Sequence, residues 1–144
     1  MIIGAAGAVA SAVLSTLAAV LGAWAMAKVG TRRVVVEGRS MVPTLEPGDR
    51  LLVVRLPRRW RLRPGDVVAV ADPRTPERLL VKRVTVISED GVTVSGDNSA
   101  ESTDSRDFGP VERGRVWGRV VYRYSPPTRS GRVRSGRRGR RPPG

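Results

Sequence analysis

The sequence predicts a mostly β protein, in which a small folded β-sheet or barrel domain is preceded by one transmembrane helix. Three observations carry this. The first 27 residues hold an uninterrupted apolar run, the middle of the chain is a series of short runs rich in β-branched residues, and Gly, Pro, Asp and Asn separate those runs.

The N-terminal run, Ile2 to Ala27, contains no charged residue and is rich in Ala, Leu and Val. Its length exceeds the ~20 residues a helix needs to cross a bilayer. Trp24 stands near one end, where an interfacial indole would sit. A cleaved secretory signal is the rival reading, since Ala23-Trp24-Ala25 and Ala25-Met26-Ala27 have the small-x-small form. Against it, the run is too long and no basic stretch precedes it. A buried soluble helix would need a polar face that the run lacks.

From residue 33 to 124 the pattern is that of strands. The candidate runs are Val34 to Val36, Leu51 to Val54, Val67 to Val70, Leu79 to Val81, Val84 to Ile87, Val92 to Val94 and Val116 to Tyr122. Leu-x-Pro-Gly-Asp occurs twice, at Leu45 to Asp49 and at Leu62 to Asp66. Pro then Gly suits a type II turn, whose second central residue needs φ > 0. Two similar turns, not a duplicated fold, are expected. Glu89-Asp90-Gly91 reads as a hairpin turn. The expected sheet is mixed but mainly antiparallel.

The segment from residue 125 to 144 is rich in Arg, Gly, Ser and Pro, and its composition predicts disorder. It contributes seven of the positive charges behind the net +13; without them the net charge is +6. The body is thus only moderately basic. A second basic stretch, Arg55 to Arg63, surrounds Trp60. It suits an anionic lipid surface, and equally a solvated basic hairpin.

Composition also narrows the chemistry. There is no Cys, which excludes disulfides, thiolate nucleophiles and Cys-based metal sites. There is no His, which excludes a Ser-His-Asp triad. A side-chain base would have to be Lys, Asp, Glu or Tyr. Taken singly, the candidate segments are bland. Gly38 to Leu45 is a loop with a serine in it. Lys82 stands inside an apolar β run, where alternation could turn it inward and desolvation would then depress its pKa. Gly96 to Arg106 is a long polar loop.

Together these segments resemble the type I signal peptidases, the Ser-Lys leader proteases. Ser-Met-x-Pro-Thr-Leu stands at Ser40 to Leu45, Pro-Gly-Asp-x-Leu-Leu-Val at Pro47 to Val53, and Gly-Asp-Val-Val at Gly65 to Val68. Lys-Arg-Val stands at Lys82 to Val84, Gly-Asp-Asn at Gly96 to Asn98, and Asp-Ser-Arg-x-Phe-Gly-Pro-Val at Asp104 to Val111. The motifs keep the family's order, over about residues 34 to 121. The short chain leaves no room for the second domain some members carry, and the resemblance extends to a short subgroup proposed to mature nickel-type superoxide dismutase.

The resemblance implies a signal-peptidase-like β fold with Ser40 as nucleophile and Lys82 as general base, its pKa expected to be lowered by burial and by Arg83 beside it. It implies that Ser102 orients the lysine and that Asp104 and Arg106 form an ion pair holding the loop. The Ser40 backbone N–H becomes an oxyanion donor, in a loop with Gly38 and Met41. Some members carry a hydroxyl where this chain has Gly38. Substrate would pair as an extended strand beside Val34 to Val36 or Gly65 to Val70. No cofactor or metal is implied.

The function expected is a membrane-anchored serine endopeptidase that removes leader peptides after small residues. Its partners would be leader-bearing proteins and membrane lipids, with no specific nucleic acid. One alternative is the superoxide dismutase maturation protease with a cytoplasmic domain. Another is a non-catalytic basic β-barrel binding nucleic acid or lipid. The family arrangement places the catalytic domain outside the cytoplasm, whereas Lys28, Arg32 and Arg33 after the helix favour the inside.

Overall fold

Alternating apolar residues and well-placed turns decide most of this fold. The computed structural model describes residues 3–27, 30–57 and 61–136, so Lys28, Trp60 with Arg58 and Arg59, and the arginines after Gly136 lie outside the described residues. The chain divides into two units, residues 1–30 and 31–144.

In the first unit, Ile3–Ala27 form helix α1. Ala and Leu favour it and no Pro interrupts it. Its 25 residues rise about 37 Å. The described side chains, Gly7 and Val9 to Trp24, are all exposed. Among the described residues no helix is long and apolar enough to cross a membrane.

In the second unit the strands are β1 (Thr31–Val35), β2 (Arg50–Val54), β3 (Val67–Ala71), β4 (Leu79–Ser88), β5 (Gly91–Ser95), β6 (Val116–Ser125) and β7 (Gly131–Arg132). Among the described residues they form one sheet in the order β1-β2-β6-β3-β4-β5, with β7 also on β6. Every pairing is antiparallel, so the mixed sheet expected from the sequence is not found. The two runs Leu79 to Val81 and Val84 to Ile87 are one strand, because Lys82 and Arg83 continue the β path between them.

The sheet buries both faces of its centre. Along β3, Val67 and Ala69 join a core with Val36, Met41, Leu45, Leu51, Val53 and Val120. Val68 and Val70 point the other way, into a core with Val84, Val92, Val94 and Val111. A strand buried on both sides reads as a continuous apolar run, which is why Val67 to Val70 shows no alternation.

Both Pro-Gly-Asp segments are turns of one design. Gly48 and Gly65 take φ of 91° and 98°, and Asp49 and Asp66 donate their amides to the carbonyls of Glu46 and Arg63. Each Asp side chain accepts the amide three residues earlier at 2.9 Å, closing the turn from the other side.

The Arg-rich segment departs from its predicted disorder as far as Gly136. A 3-10 turn at Pro127–Arg129 leads into β7, and Val133 packs against the first core. Arg129 forms ion pairs with Glu46 and Asp49. Composition predicts disorder because it counts charge without partners; here the buried Asp49 carboxylate supplies one.

Candidate active site

A turn after β1 presents Ser40. Val42 donates to the Arg39 carbonyl at 3.1 Å and Leu45 to the Met41 carbonyl at 2.9 Å, which curls residues 39–45. Met41 and Leu45 are buried in the first core and fix the turn. The Ser40 carbonyl accepts the Asn98 amide at 2.8 Å, and the Asn98 side chain donates to the Arg39 carbonyl. Among the described residues neither the Ser40 amide nor its hydroxyl donates a hydrogen bond. A Cβ on Gly38 would meet nothing within 4 Å.

Lys82 lies on β4, opposite Val68 of β3, and is only 3% exposed. Alternation puts it on the face of Leu80 and Val84, whose contacts are with the second core. Its ammonium donates to Ser102 Oγ at 3.0 Å, and Ser102 donates to Asp104 Oδ2 at 2.7 Å. Ser40 and Lys82 line one cleft of about 450 Å³, together with β1 residues Val34 and Val35 and β4 residues Leu80 and Val81.

Desolvation lowers the Lys82 pKa. Asp104 opposes this, while Arg78, Arg106 and Arg74 add to it. Arg83, expected to help, does not act there: its side chain is turned to Asp97, which it grips at 2.8 and 2.7 Å. Adjacent residues of a strand point to opposite faces, so the neighbour in sequence is not the neighbour in space.

Asp104 is fully buried. Burial alone would raise its pKa, but donors hold it well below the usual carboxylate range: Arg106 with two bonds, the Gly96 amide, Ser102 and the Arg106 amide. Asp104 also caps α2 (Ser105–Phe108) in a reciprocal box with Asp107. Arg106 reaches back to the carbonyls of Ser99 and Ser102.

The sequence named Gly96, Asp97 and Asn98 only as a motif, and the structure gives each a task. A Cβ on Gly96 would lie 2.3 Å from Ser102 Oγ and 2.5 Å from the Ser40 carbonyl, so only glycine lets these two segments meet. Asp97 joins Thr44 of the serine turn, at 2.6 Å, to Arg83 of β4. Desolvation would raise the Asp97 pKa, but its bonds to Arg83 and Thr44 leave it lowered. A polar motif at the end of a β run was the available signal.

The cleft also has two open strand edges. Among the described residues β1 pairs only with β2, so its other edge is free of them. Leu79 to Lys82 pair with β3 alone among the described residues, because β5 joins β4 only from Arg83 onward. The alternative edge expected for substrate, Gly65 to Val70, is closed, since β3 is paired on both sides.

Comparison with known families matches residues 9–94 and 85–125 to the signal peptidase family, peptidase S26. Among curated proteins, the chain is 36% identical over 123 residues to a mitochondrial ATP-independent inner membrane protease subunit 1a of Arabidopsis thaliana, covering 69% of this chain and 73% of that one. It is 35% identical over 121 residues to a mitochondrial inner membrane protease subunit 2 of Danio rerio, covering 68% and 66%. It is 28% identical over 129 residues to the human subunit 1, covering 75% and 78%.

Proposed function

The chain belongs to the signal peptidase family, peptidase S26, and on that premise we propose that it is a membrane-anchored serine endopeptidase that removes N-terminal leader peptides. The observation that carries the reading is a buried lysine of lowered pKa on the same cleft as a serine whose hydroxyl donates to none of the described residues.

In this reading neutral Lys82 takes the Ser40 proton as Ser40 Oγ attacks the scissile carbonyl. The Ser40 amide, which donates to none of the described residues, receives the developing oxyanion. Protonated Lys82 then gives its proton to the leaving amine, and an acyl-enzyme remains. Neutral again, Lys82 takes a proton from water, whose oxygen attacks the ester; Lys82 returns the proton to Ser40 Oγ as the C–O bond breaks and the carboxylate product leaves. Ser102 holds the lysine, and the Asp104–Arg106 pair holds Ser102. The substrate adds as an extended strand along the open edges of β1 and Leu79 to Lys82, with small residues before the cut.

α1 serves as the anchor in this proposal. The anchoring rests on the uncharged sequence run Ile2 to Ala27 as a whole, since among the described residues no helix is by itself long and apolar enough to cross a membrane. The catalytic domain is placed on the extracytoplasmic side.

The test is cleavage of an Ala-x-Ala leader peptide by the full chain in detergent. Ser40→Ala and Lys82→Ala should each abolish it, and cleavage surviving Lys82→Ala would sink the dyad. A C-terminal topology reporter decides the side of the membrane.

A further inference from the structure

Residues 126–136 lie beyond the stretch matched to the family, yet they are ordered and bonded at both ends. We infer that this segment is a strap that positions the two halves of the proposed active site, with Arg129 as its principal positioning residue. The inference rests on the Ser40–Lys82 reading above.

The first end grips the serine side. Arg129 pairs with Glu46 at 3.1 Å and with the fully buried Asp49, both in the turn that follows the Ser40 segment. The Arg129 carbonyl accepts from the Arg123 Nε. Arg123 in turn donates to the Thr44 carbonyl at 3.0 Å and to Asp49 at 3.2 Å. The turn bearing Ser40 is thus held at its far end by an arginine that the strap itself orients.

The second end grips the lysine side. The Arg134 carbonyl accepts from Arg83 Nη1 at 3.2 Å, on the residue next to Lys82. The same nitrogen donates to the Gly65 carbonyl at 2.7 Å. The Gly136 amide donates to that carbonyl at 3.0 Å, and Ser135 donates to Asp66 at 3.2 Å. Between the two ends, β7 pairs with β6 through Tyr122–Arg132 and Arg123–Gly131. One continuous segment therefore spans from the serine turn to the lysine strand. Proton transfer between two side chains depends on their separation, and a misplacement of about 1 Å can cost on the order of 10²-fold in rate.

The experiment compares full-length chain, a chain ending at Gly136, a chain ending at Ser125 and Arg129→Gln, each in detergent with the leader peptide. The chain ending at Gly136 should match full length. The chain ending at Ser125 should lose roughly 10²-fold in kcat with KM within about twofold, because the substrate edges are untouched. Arg129→Gln should lose roughly tenfold in the same parameter, and Arg129→Lys should recover part of it. Synthetic peptide 126–136 should restore kcat to the shortened chain. Unchanged kcat on removal of the strap would overturn the inference, as would a loss of kcat that only follows a loss of folded protein by thermal melting and that Arg129→Gln does not share. Full-length chain that cleaves no leader peptide removes the proposed function and the strap's role with it, a result distinct from either.

Discussion

Lys82 Nζ donates to Ser102 Oγ at 3.0 Å, and this bond joins the lysine to a chain that runs through Asp104 to Arg106. The ammonium of a buried lysine is free to rotate about four bonds unless something holds it. Ser102→Ala should remove that hold, lowering kcat for leader cleavage on the order of 10²-fold. It also leaves Asp104 with one donor fewer, a cost of about 1 kcal/mol. Ser102→Thr, which keeps the hydroxyl, should retain most of the activity. Steady-state kinetics and urea denaturation check both statements, and equal kcat in the Ala and Thr variants would show that the hydroxyl is not the hold.

Lys82 also sets a pH dependence. Its folded pKa lies below the ordinary 10.5, chiefly through desolvation. Only the neutral amine accepts a proton, so kcat/KM should rise with pH through that lowered value. For stability the sign is the same. Between the folded pKa and 10.5 the unfolded chain binds more protons, so stability should increase as pH rises across this window. Lys82→Met should be inactive, more stable at neutral pH, and without that increase. A pH–rate profile and melting curves at stepped pH measure these effects.

Asp104 changes stability in the same direction with pH, but in the acid range. Its folded pKa is held well below the ordinary 3.8 by its donors. Its contribution to stability is therefore fully present above the unfolded value and is lost as pH falls toward the folded one. Asp104→Asn should cost about 1–3 kcal/mol at neutral pH, because an amide nitrogen replaces one acceptor among buried donors. It should also flatten the acid loss below pH ~4. Arg106→Ala should cost less, since the arginine side chain is 56% exposed. Denaturant midpoints at several pH values test the order.

These residues show how far the sequence could be read. Ser40, Lys82 and the Asp104 loop were legible because their motifs are local and ordered along the chain. The β character was legible because β-branched runs and Pro-Gly turns are local too. What escaped depends on distance in sequence. Arg129 meets Asp49 across 80 residues, so nothing near either predicts the pair, and composition alone makes the segment look disordered. The task of Arg83 was misread because adjacency along a strand puts side chains on opposite faces. Asp97 stayed unassigned because its partners, Thr44 and Arg83, come from two other segments.

The Gly96 contacts give a further test of the site's geometry. A methyl group there would intrude on Ser102 Oγ and on the Ser40 carbonyl together. Gly96→Ala should destabilise the fold by about 1–3 kcal/mol through overpacking. It should also lower kcat by more than that loss of folded protein explains, because the serine turn and the Ser102 loop must both move. Activity measured well below the melting transition separates the two effects. A variant as active as wild type there would show that these segments yield without disturbing the dyad.

Gly38 offers a gain of function in place of a loss. It stands two residues before Ser40, the position at which the resemblance drawn from the sequence puts a hydroxyl in some family members. Its φ is not positive, and a Cβ would meet nothing within 4 Å, so a side chain fits without strain. Gly38→Ala should stabilise the chain by about 0.4–1 kcal/mol by restricting the unfolded state, and should leave kcat unchanged. Gly38→Ser should gain the same stability and raise kcat as well. One oxyanion donor is worth about 10²–10³-fold when removed from a preorganised site, and an added, unsupported hydroxyl should recover roughly tenfold of that. The paired variants isolate the hydroxyl from the backbone effect. If Gly38→Ser and Gly38→Ala cleave at the same rate, the Ser40 amide carries the oxyanion without help from this position.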